Sequence, residues 1–248
     1  MSLVPKEKIL HKGNLPKHFD FQEGAVLLID KPGDWTSFDV VNKIRFKIKY
    51  GFGYKKIKVG HAGTLDPLAT GLLIVCTGKF TKKIDKIQNQ PKKYSGEIVL
   101  GKTTPTYDGE SEADRMFPIS HIDEQLVEEV KNSFIGEQLQ VPPIYSAIKI
   151  KGQTAYSLAR RGEDVILKAR KVEITSLETN RVSDEILSFH IHCSKGTYIR
   201  SLAHDMGQRL DSGAYLGKLR REEIGIYSVQ DALSIEEIVN YIEGISPI

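Results

Sequence analysis

Between Leu187 and Cys193 the chain alternates strictly, with Leu187, Phe189, Ile191 and Cys193 on one side and Ser188, His190 and His192 on the other. A period of two belongs to a strand with one face in a core and the other toward water, so a half-buried antiparallel sheet is implied. Val172 to Leu177 reads as a second strand. Two further apolar runs, Ala25 to Ile29 and Leu72 to Cys76, are unbroken, as in strands covered on both faces, and Tyr94 to Leu100 adds another. Helical spacing appears in Val40, Val41, Ile44 and Ile48 behind a capping-box-like Thr36-Ser37-Phe38-Asp39. It recurs in Leu126, Val127, Val130 and Phe134 behind Asp123, and in Ile199, Leu202, Ala203, Met206 and Leu210 ahead of Gly213. Lys79 to Gln88 reads as a further helix, and Ser234 with Glu237 opens the last. The predicted class is α+β with a mixed sheet.

A chain of 248 residues can bury one good core, and its length permits one large domain or two small ones; one catalytic domain is the expectation. Hydrophobic content of 40% with 27% charged residues is that of a soluble protein, and no stretch approaches the roughly 20 apolar residues of a membrane span. Lys6, Glu7, Lys8 and Lys12 break up the first residues, so no secretory signal is present and residues 1–23 read as a floppy leader of a cytoplasmic protein. Cys76 and Cys193 fall in apolar runs without metal-ligand spacing, which predicts two small buried hydrophobes.

The net charge of +3 hides clustering. Lys43, Arg45, Lys47, Lys49, Lys55, Lys56 and Lys58 occur without an acid and alternate with Phe46, Tyr50, Phe52 and Tyr54. Lys79, Lys82, Lys83, Lys86, Lys92 and Lys93 form a second group. Such patterns suit a phosphate backbone and unstacked bases, or else a solvated helix face. Acids concentrate between Asp108 and Glu129, as on a face turned from a polyanion.

No nucleotide-binding loop is present, because Lys56 stands where a dinucleotide fingerprint needs glycine and the spacing from Gly71 to Gly78-Lys79 is too long for a phosphate loop. The remaining candidate is Gly60-His61-Ala62-Gly63-Thr64-Leu65-Asp66-Pro67-Leu68-Ala69-Thr70-Gly71-Leu72-Leu73, a single acid among small and apolar residues. Taken alone, Asp before Pro commonly initiates a turn. The glycines and threonines around it give more backbone freedom than one cap requires.

This segment resembles the catalytic loop of the bacterial tRNA pseudouridine-55 synthases, the TruB family. Similar stretches follow the family's order: Lys31-Pro32 with Trp35-Thr36-Ser37, Lys92-Lys93-Tyr94, and Val141-Pro142-Pro143 with Tyr145-Ser146-Ala147. Cys193-Ser194-Lys195-Gly196-Thr197-Tyr198-Ile199-Arg200 and Leu219-Arg220-Arg221 complete the set, which runs from about Gly24 to Leu233. The resemblance implies a pseudouridine synthase fold: a mixed, largely antiparallel sheet flanked by helices, with a central active-site cleft, over residues 24–248. It implies cofactor-free and metal-free isomerisation of uridine in the T-arm of tRNA, by a monomer with no obligate protein partner.

By the same resemblance Asp66 is the catalytic nucleophile or base and Arg200 its guanidinium partner. Tyr94 stacks on the flipped base, Tyr198 and Leu219 line its pocket, and His61 meets the RNA nearby. Lys31 joins the substrate-binding set and, with Pro32 and Ser37, shapes the loop from behind. Residues 134–162 resemble the family's thumb, where Lys149, Lys151, Arg160 and Arg161 would meet phosphates. Asp34 stands where the family has glycine, so that turn is expected to differ, and Ala62 replaces a threonine. The chain ends soon after Ser234, where many relatives continue into a PUA-like domain. The rival readings are a guide-RNA-dependent synthase of the dyskerin type and a non-catalytic tRNA-binding or folding factor; the latter has no need of Asp66, Tyr94 and Arg200 together.

Overall fold

The computed structural model describes residues 4–150 and 152–245. In chain order its elements are β1 (Ile9–Leu10), β2 (Val26–Lys31), α1 (Ser37–Gly51), β3 (Val59–His61), β4 (Thr70–Thr77), a 3-10 turn (Gly78–Lys83), α2 (Ile84–Gln88) and β5 (Lys92–Leu100). Then come β6 (Lys102–Thr103), β7 (Arg115–Met116), α3 (Glu124–Asn132), β8 (Gly136–Gln140), β9 (Lys149–Ile150), β10 (Gln153–Thr154) and α4 (Ala155–Arg160). The chain continues through β11 (Arg170–Ser183), β12 (Ile186–Cys193), α5 (Ile199–Arg209), β13 (Ala214–Ile224), β14 (Tyr227–Ser228) and α6 (Ile235–Gly244). Contacts group these into two compact units, Met1–Tyr94 with Arg220–Ile248, and Ser95–Leu219.

In the first unit β4 is the central strand. It pairs antiparallel with β2 along one edge, from Val26 opposite Cys76 to Lys31 opposite Gly71. Its other edge is shared: β3 takes Val75 to Thr77 antiparallel, and β13 takes Thr70 and Gly71 parallel. Both faces of β4 are covered, which is why its sequence is an unbroken apolar run. Leu73 and Val75 pack with Val40, Val41, Ile44 and Ile48 of α1 and Ile238 and Ile242 of α6. Leu72, Ile74 and Cys76 pack with Ile87, Ile224, Tyr227 and Val229. Burial pushes the Cys76 thiol up to about 12, consistent with a core hydrophobe. Thr36 with Asp39, and Ser234 with Glu237, form the two capping boxes that start α1 and α6.

From Val4 onward the amino-terminal segment is packed and does not trail as a floppy leader. β1 pairs parallel with β2, and Leu10, Phe19 and Phe21 are buried in the α1-side core. Its few apolar residues lie between lysines with no regular period, so pattern alone does not reveal them. Lys79 to Gln88 is a 3-10 turn running into the short α2.

In the second unit β11 and β12 form a long antiparallel hairpin, β8 pairs antiparallel with β11, and β5 lies beside β12. Leu187, Phe189, Ile191 and Cys193 are buried as the alternation requires. Ile199, Leu202, Ala203 and Met206 of α5 are buried as well. The 134–162 segment holds β8, the β9–β10 hairpin and α4. With β1/β2 and β4/β13 parallel and the other registered pairs antiparallel, the class is α+β with a mixed, largely antiparallel sheet flanked by helices.

Candidate active site

The loop 62–69 joins β3 to β4 at the split between β3 and β13, and its backbone is tied down from three directions. Ser37, the first residue of α1, accepts from Leu65 N at 2.8 Å and donates to Leu65 O at 3.1 Å. Lys31 is fully buried at the end of β2, two residues beyond the predicted strand, and donates to the carbonyls of Pro32, Trp35 and Pro67 at 2.9, 2.6 and 3.1 Å. Arg221 is 1% exposed and donates to Leu72 O at 2.7 Å, Gly63 O at 3.0 Å and Thr64 O at 3.4 Å. These donors satisfy carbonyls that a loop buried on this side cannot give to water.

Asp66 sits half-buried in this loop, its carbonyl capped by Ala69 N at 3.1 Å. The charges of Lys31 and Arg221 both act on it. Burial pushes the Lys31 ammonium down to about 8, against an opposing pull from Asp66. Burial also lowers Arg221, while the hydrogen-bonded phenol of Tyr94 and the charge of Asp66 raise it. The His61 imidazole is lowered by burial first and by Arg221 second. Acid, phenol, imidazole and two buried cations therefore converge within one unit.

Lys31 is protonated below about pH 8 and loses its charge as pH rises through that value, which removes an attraction acting on Asp66. Turnover is expected to fall on an alkaline limb near pH 8, read as kcat/KM against pH. A profile flat through that value would remove Lys31 from the electrostatics of the site. As a fully buried group Lys31 braces the loop through the carbonyls of Pro32, Trp35 and Pro67.

Gly71 has φ +100°, and a Cβ there would lie 2.4 Å from Arg221 O and 2.7 Å from Arg221 N. Only glycine permits the close parallel approach that brings Arg221 to the loop. Gly71→Ala is expected to cost at least about 2 kcal/mol, seen as a lower urea midpoint. Next to Arg221, Arg220 forks onto Asp30 at 3.0 and 2.8 Å. Asp34 holds φ 61°, the left-handed conformation that glycine adopts freely and aspartate tolerates, so this departure leaves a glycine-like turn in place.

Arg200 lies in the second unit, 5% exposed, at the start of α5. It donates to Thr106 O at 3.1 Å and Tyr145 O at 2.9 Å, and its Nε is 3.6 Å from Asp108 Oδ2. Asp108 also accepts from Thr106 Oγ1 at 2.6 Å and Glu110 N at 3.0 Å. It is buried, which removes it from the outward acidic face expected of this region. Tyr198, N-terminal to α5, is held by both ends of the Gln140 amide and lies under Arg170. Leu219 is half-buried on β13.

Lys149, Arg160 and Arg161 are exposed, but Arg161 is already paired with Glu163 at 2.8 Å. Lys151 lies outside the described residues. The second basic cluster is partly spent within the protein. Lys92 is buried on the carbonyls of Gln88 and Gln90, Lys79 pairs with Glu23, and Lys93 pairs with Glu223. Arg221 and Asp108 are the residues that sequence reasoning leaves without a role. The Leu219-Arg220-Arg221 run is noticed only as a motif, and no strand is predicted under it. No group of three or more His, Cys, Asp or Glu among the described residues is arranged to hold a metal ion.

Residues 49–199 match the TruB family pseudouridylate synthase, N-terminal domain. The tRNA pseudouridine synthase B of Parabacteroides distasonis is 50% identical over 224 residues, 90% of this chain and 95% of its own length. That of Flavobacterium johnsoniae is 51% identical over 217 residues, 87% and 95% of the two chains. Among solved structures, a Cbf5-Nop10-Gar1 complex aligns with a TM-score of 0.66 at 25% identity, covering 92% of this chain and 60% of that one. An H/ACA RNP bound to a substrate RNA containing 2′-deoxyuridine gives 0.64 at 24%, covering 89% and 54%. The chain thus spans little more than half the length of these solved chains, and the second likeness is one of fold alone.

Proposed function

The chain belongs to the TruB family of pseudouridylate synthases, and from that premise we propose that it converts uridine to pseudouridine at position 55 in the T-arm of tRNA, with Asp66 as the catalytic carboxylate. The observation that carries the reading is the convergence of Asp66, Tyr94 and the buried cations Lys31 and Arg221 around a loop with fixed backbone. The reaction breaks N1–C1′, rotates the base and joins C5 to C1′; C5 gives up its proton to solvent and N1 takes one up, with no change in oxidation state. A half-buried carboxylate beside two buried cations suits attack or proton removal at the sugar–base linkage.

The target uridine must leave its stack to reach this acid. Tyr94, its phenol held by Arg221, offers the ring on which the flipped base rests, with His61 beside the opened loop. Arg200 is held within its own unit by Asp108 and two carbonyls. Lys149, Arg160 and Arg161 of the thumb-like segment meet phosphates.

The test is tritium release from 5-tritiated uridine in a bare T-arm transcript, using the purified chain without metal or guide RNA. Release supports the reading, a requirement for guide RNA favours the dyskerin-type rival, and binding without release favours a non-catalytic factor.

A further inference from the structure

The outward face of α1 carries a stripe that the reaction at Asp66 does not use. Phe38, Asn42, Phe46 and Tyr50 recur every four residues, opposite the buried Val40, Val41, Ile44 and Ile48. The three rings are 63%, 57% and 68% exposed, values at which a monomer's aromatic side chains leave most of their apolar area in water. Each is bound into a basic setting. The Arg45 guanidinium, hydrogen-bonded to Asn42, stands 6.0 Å from the Phe38 ring, and Lys49 Nζ is 5.3 Å from the Tyr50 ring. Phe46 and Tyr50 stack on one another, with centroids 5.7 Å apart and planes at 24°.

Lys43 on the helix, and Lys55, Lys56 and Lys58 just beyond it, are exposed. Among the described residues, Lys47 is the member of this cluster with a carboxylate partner, Glu243. The one acid of α1, Asp39, is occupied by its capping box with Thr36. Flat π faces separated by unneutralised cations fit bases and phosphates, whereas a protein-docking face favours contiguous apolar surface without charge between the rings.

The stripe begins at the catalytic loop. Ser37 holds Leu65, one residue before Asp66, and Phe38 is its outward neighbour. From Phe38 to Tyr50 the helix advances about 18 Å at 1.5 Å per residue. We propose that the outer face of α1 is a second RNA-binding surface, which receives unstacked bases and phosphates of the substrate tRNA beyond the nucleotide at Asp66. The proposal rests on the tRNA reading above.

The test compares the wild-type chain with Phe38→Ala/Phe46→Ala/Tyr50→Ala on an unmodified full-length tRNA transcript at fixed salt. The triple variant is expected to bind at least about tenfold more weakly, with KM raised and kcat at saturating transcript unchanged. Phe46→Leu/Tyr50→Leu, which keeps apolar bulk but removes the π faces, guards against misfolding. With circular dichroism and unfolding midpoint as in wild type, it is expected to show a loss of the same kind. Lys43→Gln/Lys49→Gln is expected to lessen the steepness of binding against salt. Transcript affinity within twofold of wild type for both aromatic variants would overturn the proposal, and so would full RNA affinity in the leucine variant, which marks the face as one for an apolar partner. Failure of the wild-type chain to release tritium would count against the catalytic reading instead, since the binding comparison does not use turnover.

Discussion

Asp66→Asn is expected to lower tritium release from a T-arm transcript by on the order of 10⁴-fold or more while RNA affinity stays within a few-fold of wild type. Asparagine keeps the size and much of the hydrogen bonding of aspartate but has neither the negative charge nor the basicity that attack or proton removal requires. The loop should survive the exchange, because Ser37, Lys31 and Arg221 hold its backbone through Leu65 N and the carbonyls of Pro67 and Gly63. Removing a charge beside two buried cations also leaves these less compensated, so a modest drop in unfolding midpoint is expected together with the loss of turnover. Rates near wild type in a folded variant would remove Asp66 from the chemistry altogether.

Arg221→Gln is expected to be damaging for two separable reasons. The guanidinium is buried and serves the carbonyls of Leu72, Gly63 and Thr64 together with the Tyr94 phenol; glutamine reaches at most part of that set and leaves the rest unsatisfied. A loss of about 3–5 kcal/mol is expected from urea unfolding, as for breaking a buried charged network. In whatever fraction remains folded, loosening of the loop and of Tyr94 should lower kcat by about 10²-fold with little change in KM, because the Asp66 loop is displaced while the exposed lysines are untouched. Arg221→Lys, which restores charge without the fork, is expected to recover part of the stability and less of the rate. If the Gln variant turned over at the wild-type rate, Arg221 would be a core residue and nothing more.

Much of the fold is legible in the sequence where one local signal decides the outcome. The alternation from Leu187 to Cys193, the unbroken run at Leu72 to Cys76 and the Thr36–Asp39 and Ser234–Glu237 boxes each correspond to an element found in place. The parts missed depend on distant partners. Ile9 and Leu10 become a strand only because the β2 edge is there to receive them, and the Arg220-Arg221 strand carries charges that no strand pattern favours.

The site divides in the same way. The Asp66 loop is recognisable from its own residues, but the use of Arg221 as its brace requires knowing that Gly71 meets β13 in parallel register. Lys31 reads as a turn lysine because a charge is not expected at full burial, and Asp108 reads as part of an acidic surface because its partner Arg200 lies far along the chain. Of the two basic clusters, the sequence cannot say which is neutralised. Glu23 and Glu223 answer much of the second, while the first keeps most of its charge toward solvent.

The long span between Leu72 and its donor also bears on biogenesis. The two are 149 residues apart, so at 5–20 residues per second a ribosome needs roughly 7 to 30 s to deliver the guanidinium after the carbonyl has emerged. Throughout that interval a nascent chain contains Asp66, and soon Tyr94, yet lacks the guanidinium that holds the carbonyls of Gly63, Thr64 and Leu72. The loop that carries Asp66 therefore receives its buried donor only late in translation.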